Sequence, residues 1–216
     1  MLEIILIRHG QTDWNRDRRI MGHRPIPLNA TGKKESALLA KALSDVEIDA
    51  IYTSPFIRAF QTARILSSGR NVKLEKALEI AEIDYGQWVG RTFDEVSQEE
   101  SFHVYHTHPK DAQAPGGEKM ISVATRAIGF IETLRKRHKR GRILVVSHAD
   151  VIKVILVNYL KIDLNQILKL HIDNSSLSLL WFKENRVRVM AMNCVPSISG
   201  LFQGGDQLYG KKKRDR

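Results

Sequence analysis

The chain has 216 residues, 43% of them hydrophobic, with 34 lysines and arginines against 24 aspartates and glutamates and a formal net charge of +10. That length supports one sizeable core, and no Pro/Gly/Ser-rich linker or internal repeat divides it, so a single domain is expected. The one cysteine, Cys194, excludes an intrachain disulfide, no apolar stretch is long enough to cross a bilayer, and no secretory signal is apparent, so a cytoplasmic protein without a membrane partner is expected.

The run Leu2-Glu3-Ile4-Ile5-Leu6-Ile7 reads as a buried strand. It ends in Arg8-His9-Gly10, and the carboxyl ends of strands in open α/β sheets face the ligand crevice, so a guanidinium and an imidazole enter a site there. Asn29 to Gly32 precede a helix predicted from Lys33 to Leu43, with Leu38, Leu39, Ala42 and Leu43 as its apolar stripe. Ile51 to Thr53 form a short strand. Ser54 is expected to cap the next helix with Pro55 in its first turn, which puts Arg58 near the positive end of that helix. Val72 to Leu74 are a candidate sheet edge. Past Glu82, a helix is predicted from Phe93 to Glu100 and irregular chain from His103 to Ala114.

A long amphipathic helix is predicted from Glu118 to Arg137, with Val123, Ile128, Ile131 and Leu134 facing inward. The run Arg135 to Arg140 falls in the last turns of that helix, expected to end near Gly141, where cations oppose the helix dipole. Arg142-Ile143-Leu144-Val145-Val146-Ser147 then runs into His148, the second apolar strand to end in a histidine. A helix near Ala149 to Tyr159 and strands near Ser176 to Phe182 and Arg188 to Met192 complete an α/β arrangement. Residues 206–216 read as a basic, solvated and disordered tail. Neither basic run interleaves aromatic residues, so no specific nucleic-acid partner is expected.

Several segments resemble one family and occur in its order: Leu6 to Asn15, Leu28 to Gly32, Tyr52 to Ala63, Glu82 to Gly90, Pro115 to Glu118, and Val146 to His148. Together they are similar to the histidine phosphatase superfamily, whose fold is also called phosphoglycerate mutase-like. The resemblance implies one three-layer domain over residues 1–205, with a mostly parallel central sheet flanked by helices.

The residue types carry a chemistry of their own. A phosphomonoester bears up to two negative charges, and Arg8 and Arg58 supply planar forks matched to its oxygens. A neutral His9 is a competent nucleophile for phosphorus, and two nearby arginines disfavour its protonated form. The same cations stabilise a metaphosphate-like transition state, so the scheme requires no metal or other cofactor. Glu82 is the carboxyl placed to protonate a leaving alkoxide if its surroundings raise its pKa.

By likeness to the family motif, His9 becomes the phosphohistidine, and Arg8, Arg58 and His148 hold the phosphoryl oxygens. Glu82 protonates the leaving group and later activates water, while Asn15 is an accessory donor to the phosphate. Backbone N–H groups at the start of the helix after His148 are expected to assist. His103, His106 and His108 lack a cysteine or carboxylate at ligand spacing, so that segment is expected to line the substrate pocket instead of binding a metal. Trp88 is expected to be a packing anchor.

The Glu82 to Gly90 spacing looks most like the small phosphatase branch, including broad-specificity, α-ribazole and glucosyl-phosphoglycerate phosphatases. The expected activity is therefore metal-independent hydrolysis of a small phosphorylated metabolite. Two alternatives stay open at this point: a cofactor-dependent phosphoglycerate mutase, disfavoured because Arg91 is the lone arginine between Glu82 and Pro115, and a non-catalytic phospho-ligand-binding module. A homodimer is equally open.

Overall fold

The structure is a computed structural model that describes residues 1–196; the tail expected at 206–216 lies outside them, as does the end of the expected 1–205 domain. Its six strands are β1 (Leu2–Arg8), β2 (Ala50–Thr53), β3 (Lys73–Lys76), β4 (Gly141–Ser147), β5 (Leu177–Lys183) and β6 (Arg186–Cys194). They form one sheet in the order β3-β2-β4-β1-β5-β6. The first four run parallel, and β5 and β6 pair antiparallel at the β1 edge. The helices are α1 (Asp13–Arg16), α2 (Ala30–Ala42), α3 (Ile57–Ser67), α4 (Phe93–Val96), α5 (Glu100–Thr107), α6 (Met120–Arg137) and α7 (Ala149–Leu160). Among the described residues no helix is long and apolar enough to cross a membrane.

Side-chain alternation along β1 builds both faces of the core. Ile4 and Leu6 join Val123, Ile131, Val151 and Ile155 of α6 and α7 in one buried cluster. Ile5 and Ile7 join Leu39 of α2 and Ala59, Ala63 and Leu66 of α3 in a second cluster on the opposite face. A strand buried on both sides has to be apolar throughout, which accounts for the unbroken run at the start of the chain. The result is the mostly parallel three-layer α/β domain that the sequence implied.

Several boundaries differ from expectation. α2 begins at Ala30 because the Asn29 side chain accepts a hydrogen bond from Gly32 N at 2.8 Å. α3 begins at Ile57 with Phe56 as its cap residue, so Ser54 is not the cap. Ser54 N donates instead to Val146 O at 2.9 Å and continues the pairing of β2 with β4. The helix predicted from Phe93 to Glu100 is two helices, and α5 runs through Thr107, so much of the segment expected to be irregular is helical. Burial of Tyr105 from α5 against the Trp88 ring accounts for this tertiary choice. α6 stops at Arg137, short of Gly141, and His138 turns extended with Nε2 against Tyr52 Oη at 2.9 Å. The third strand sits at Lys73–Lys76, shifted toward the C-terminus from Val72 to Leu74.

The irregular segment carrying Glu82 is clamped from α6. Arg126 donates to the carbonyls of Glu79 (2.8 Å), Ala81 (2.7 Å) and Glu82 (3.3 Å), and its fork is paired with Glu118. Beyond Glu82 the chain turns at Gly86, whose φ of +47° lies in the left-handed region. A Cβ there would overlap the Pro115 carbonyl oxygen and lie 2.6 Å from Gly116 C and Gly117 N. Gly86→Ala is therefore expected to lower the unfolding free energy by about 2 kcal/mol or more. Urea unfolding checks this, and a loss under about 0.5 kcal/mol would mean that the 115–117 loop yields.

Candidate active site

Sheet register brings the two strand-ending histidines together. Arg8 of β1 pairs with Ser147 of β4, so His9 and His148 leave adjacent strands at the same level. Their ring centroids lie 5.2 Å apart at 61°, and the side chains are almost fully buried, His9 at 1% exposure and His148 at 0%.

Each ring is held in a defined orientation. His9 Nδ1 lies 2.8 Å from the Gly10 carbonyl oxygen. A carbonyl only accepts, so Nδ1 carries the hydrogen and Nε2 keeps its lone pair. His9 N donates to Ser147 O at 3.0 Å, Gly10 N donates to Thr62 Oγ1 at 3.0 Å, and Asn174 Nδ2 donates to His9 O at 3.0 Å. Burial, with the charges of Arg58 and Arg8 adding to it, holds the His9 pKa well below the ordinary histidine value. At neutral pH, His9 thus presents an unprotonated Nε2. Its neighbour His148 is depressed in the same way, first by burial and then by Arg58.

His148 Nε2 contacts Ser54 Oγ at 2.8 Å. Ser54 Oγ also accepts from Phe56 N at 3.4 Å; in the tautomer where Ser54 Oγ–H donates to Nε2, the neutral His148 ring carries its proton on Nδ1. That Nδ1 is buried without a hydrogen-bond partner, 3.8 Å from Glu82 Oε2. Ser54 is freed for this contact because it does not cap α3.

Both arginines are fixed by backbone carbonyls. Arg8 donates from one terminal nitrogen to Ile172 O at 2.6 Å, and Arg58 donates to Gly22 O at 2.8 Å and Arg24 O at 3.1 Å. Arg58 is fully buried in the first turn of α3. Burial pulls its pKa down to about 10, which leaves it charged at neutral pH. The Nε of each arginine is buried and has no partner. Two guanidinium N–H groups and one imidazole N–H are therefore buried unsatisfied around the same pair of histidines. Each such orphan costs about 1–3 kcal/mol unless a ligand accepts from it, and an oxyanion is the acceptor that suits two cations and a neutral donor.

Glu82 is 9% exposed and accepts from Ile83 N at 3.1 Å through Oε1. Burial pushes its pKa up to about 7, the charge of Asp150 adds to the rise, and Arg58 opposes it. His23 Nε2 donates to the Glu82 carbonyl at 2.9 Å, and beside it opens a cavity of about 390 Å³ lined by His23, Arg24, Pro25, Asp84, Gly86 and Val89. Asn15 closes α1 at its start: its Oδ1 accepts from Thr12 N and Thr12 Oγ1, both at 3.0 Å, and its amide NH₂ is the half available to donate.

The structure thus gathers Arg8, His9, Arg58, Glu82 and His148 in one buried pocket, with Asn15 reached through Asn174, whose Nδ2 is 3.4 Å from Asn15 Oδ1. The other sequence candidates lie elsewhere. His103 and His106 are exposed on α5 and His108 follows its end, and among the described residues no group of three or more His, Cys, Asp or Glu converges in a metal-binding arrangement. Trp88 packs edge-on against Phe102 and Tyr105 and donates to Glu99 at 2.7 Å, as expected of an anchor. Arg91 is committed to Glu99 and the Glu95 carbonyl. Sequence reading missed Ser54 as the partner of His148, Arg126 as the clamp on the Glu82 segment, and the Asp150 carboxylate behind Glu82. Asp150, two residues after a strand-ending histidine, was the one with a readable signal.

Comparison with known proteins agrees with this geometry. The family described as histidine phosphatase superfamily (branch 1) matches residues 4–195. Phosphoserine phosphatase 1 of Hydrogenobacter thermophilus is 34% identical over 195 residues, covering 89% of this chain and 92% of that protein. Metal-independent phosphoserine phosphatase of Arabidopsis thaliana is 30% identical over 167 residues, covering 74% of this chain and 68% of that protein. Among solved structures, Bacillus stearothermophilus YhfR superposes with a TM-score of 0.85 at 29% identity, over 90% of this chain and 98% of that one. With the matched span running from β1 to the end of β6 and both histidine-bearing strands inside it, the chain belongs to the histidine phosphatase superfamily.

Proposed function

We propose that this protein is a phosphoric monoester hydrolase that dephosphorylates a small metabolite without a metal, through a phosphohistidine at His9. The observation that carries the reading is the trio of buried, unpartnered donors, Arg8 Nε, Arg58 Nε and His148 Nδ1, around an imidazole whose Nε2 is unprotonated. Bound phosphate oxygens accept from those donors, and Asn15 adds an amide N–H. His9 Nε2 attacks phosphorus while the ester oxygen departs with the Glu82 proton. Glu82, now a carboxylate, takes a proton from the water that attacks the phosphohistidine, which releases inorganic phosphate and restores both groups.

Hydrolysis is favoured over mutase chemistry because Arg91, the lone arginine between Glu82 and Pro115, is already spent on Glu99 and a backbone carbonyl. The phosphoserine phosphatases among the relatives make phosphoserine the first substrate to assay. α-Ribazole phosphate, sugar phosphates and phosphoglycerates belong on the same panel. A cytoplasmic location is part of the proposal, supported by a lone cysteine that needs no oxidising compartment.

His9→Ala is expected to retain less than about a tenth of wild-type turnover, since loss of a covalent nucleophile costs several kcal/mol of barrier. Rapid quench with a labelled substrate checks the intermediate: acid-labile, base-stable phosphoprotein in the wild type and none in the variant. An acid-stable adduct contradicts the scheme. Chelators are expected to leave the rate unchanged, and vanadate to compete with substrate; loss of activity with chelator, restored by one divalent ion, argues for metal-assisted hydrolysis instead.

The two ionisations set the pH profile. Attack requires neutral His9, so activity falls in acid only below the ordinary histidine range. Departure of an alkoxide requires protonated Glu82, so turnover of alkyl phosphates falls as pH rises through about 7. A nitrophenolate leaves unaided, so Glu82→Gln should slow alkyl phosphates at least tenfold more than p-nitrophenyl phosphate, about 1.4 kcal/mol of selective loss. Equal losses on the two esters would remove Glu82 from the acid role, and a selective loss in Asp84→Asn would transfer it to Asp84.

A further inference from the structure

Asp150 is a carboxylate that phosphoryl transfer does not use. It is 5% exposed and lies in the first turn of α7, two residues after His148. One of its oxygens accepts from the hydroxyls of Tyr85 and Tyr105, the latter at 2.6 Å, and the other accepts from Lys153 Nζ at 3.2 Å. The two tyrosine hydroxyls stand 3.5 Å apart. These partners come from three places: Tyr85 from the turn three residues past Glu82, Tyr105 from α5, and Lys153 from the next turn of α7. Asp150 thus joins the Glu82 segment to the helix that follows His148.

Burying this group would raise its pKa, yet Lys153 and the tyrosine hydroxyls hold it below the usual aspartate value. Both tyrosines are pushed well above theirs, first by burial and then by the charge of Asp150, so they remain donors. The hub is therefore one carboxylate with fixed charge and three donors pointed at it.

We propose that Asp150 is a positioning residue for Glu82: through Tyr85 it fixes the segment that carries Glu82, and its constant negative charge behind that side chain keeps the Glu82 proton in place until the leaving group takes it. This rests on the reading of Glu82 as the leaving-group acid. The charges facing Glu82 come from every neighbouring element. Arg58 of α3 and Arg8 of β1 favour its ionised form, neutral His148 lies 3.8 Å away, His23 and Arg126 reach its backbone carbonyl, and Asp150 of α7 opposes the two arginines. Without Asp150, the arginines would go unopposed from this side and Glu82 would lose its proton at lower pH.

The test is the pH dependence of kcat for an alkyl phosphate at saturation, with p-nitrophenyl phosphate as control. Asp150→Asn is expected to move the basic limb down by about one pH unit, the size of shift expected from one nearby charge. Asp150→Glu, which keeps the charge, is expected to leave the limb near its wild-type position. A downward shift in Asp150→Asn that Asp150→Glu does not show, seen on the alkyl ester with the nitrophenyl profile unmoved, supports the positioning role. A drop in kcat on both esters with the limb unmoved is the signature of a merely structural hub and overturns the proposal. If Asp150→Asn does not fold, Tyr85→Phe decides: it cuts the tie between Asp150 and the Glu82 segment, is expected to lower kcat on the alkyl ester selectively, and an equal loss on both esters overturns the proposal. A wild-type enzyme with no basic limb on the alkyl ester overturns the Glu82 reading as well, and is told apart because it needs no variant.

Discussion

Two arginine forks pinned to backbone carbonyls set the electrostatic terms for everything else in the pocket. A buried guanidinium is expensive to desolvate, and Arg58 recovers part of that cost through the carbonyls of Gly22 and Arg24, as Arg8 does through Ile172. Burial makes a protonated histidine unfavourable here and the arginine charges add to it, so His9 and His148 stay neutral although each is an ordinary base by type. The pocket consequently keeps a net positive charge contributed by the arginines and reduced in part by Glu82, which titrates near 7. A phosphomonoester dianion neutralises that charge. A ligand without acceptor oxygens would leave the arginine Nε donors buried and unsatisfied, and a neutral one would leave the positive charge uncompensated.

The sheet supplies what electrostatics cannot, a fixed distance between nucleophile and donors. Because Arg8 pairs with Ser147 and Thr53 with Val146, the ends of β1, β2 and β4 deliver His9, Ser54 and His148 to one rim. A slip of one residue in β1 would turn Ile4 and Leu6 toward the wrong helices, so the same apolar alternation that stabilises the core also guards the His9 to His148 spacing. The outer lining of the pocket hangs on loops instead: His23 and Arg24 before α2, and the segment after Glu82, from Asp84 to Val89. Substrate preference can drift through those loops while the phosphoryl site stays fixed.

Much of this was legible in the chain. Two apolar runs that each end in histidine are enough to mark β1 and β4 as buried strands delivering His9 and His148 to the ligand-facing end of a sheet, whereas their side-by-side pairing is decided by the sheet order. Arg58 was placed correctly in the first turn of α3 even though the cap residue was misassigned. Ser54 carries a strong local capping signal, and a pairing with β4 that only the assembled sheet reveals overrode it. The segment from His103 to Thr107 looked irregular because its helix is favoured by burying Tyr105 under Trp88, a contact invisible to local propensity. Arg126 and Tyr85 were missed for the same reason, since each acts on residues dozens of positions away or on another element.

The pair Glu82 and Asp150 shows how one buried region assigns opposite protonation states to two carboxyl groups. Both side chains are withdrawn from water, and burial alone would favour the neutral acid in each. Asp150 receives two hydroxyl donors and an ammonium, enough to reverse that preference. Glu82 receives one backbone N–H at 3.1 Å and the field of Asp150, so it stays close to half-protonated at neutral pH. A group poised in that way can give a proton to an alkoxide and take one from water in the same cycle, whereas an acid as strong as ordinary glutamate would already be ionised when the ester arrived. The hydrogen bonds that keep Asp150 charged thus help Glu82 to retain its proton at neutral pH, and the two tyrosines bear on the chemistry through that route.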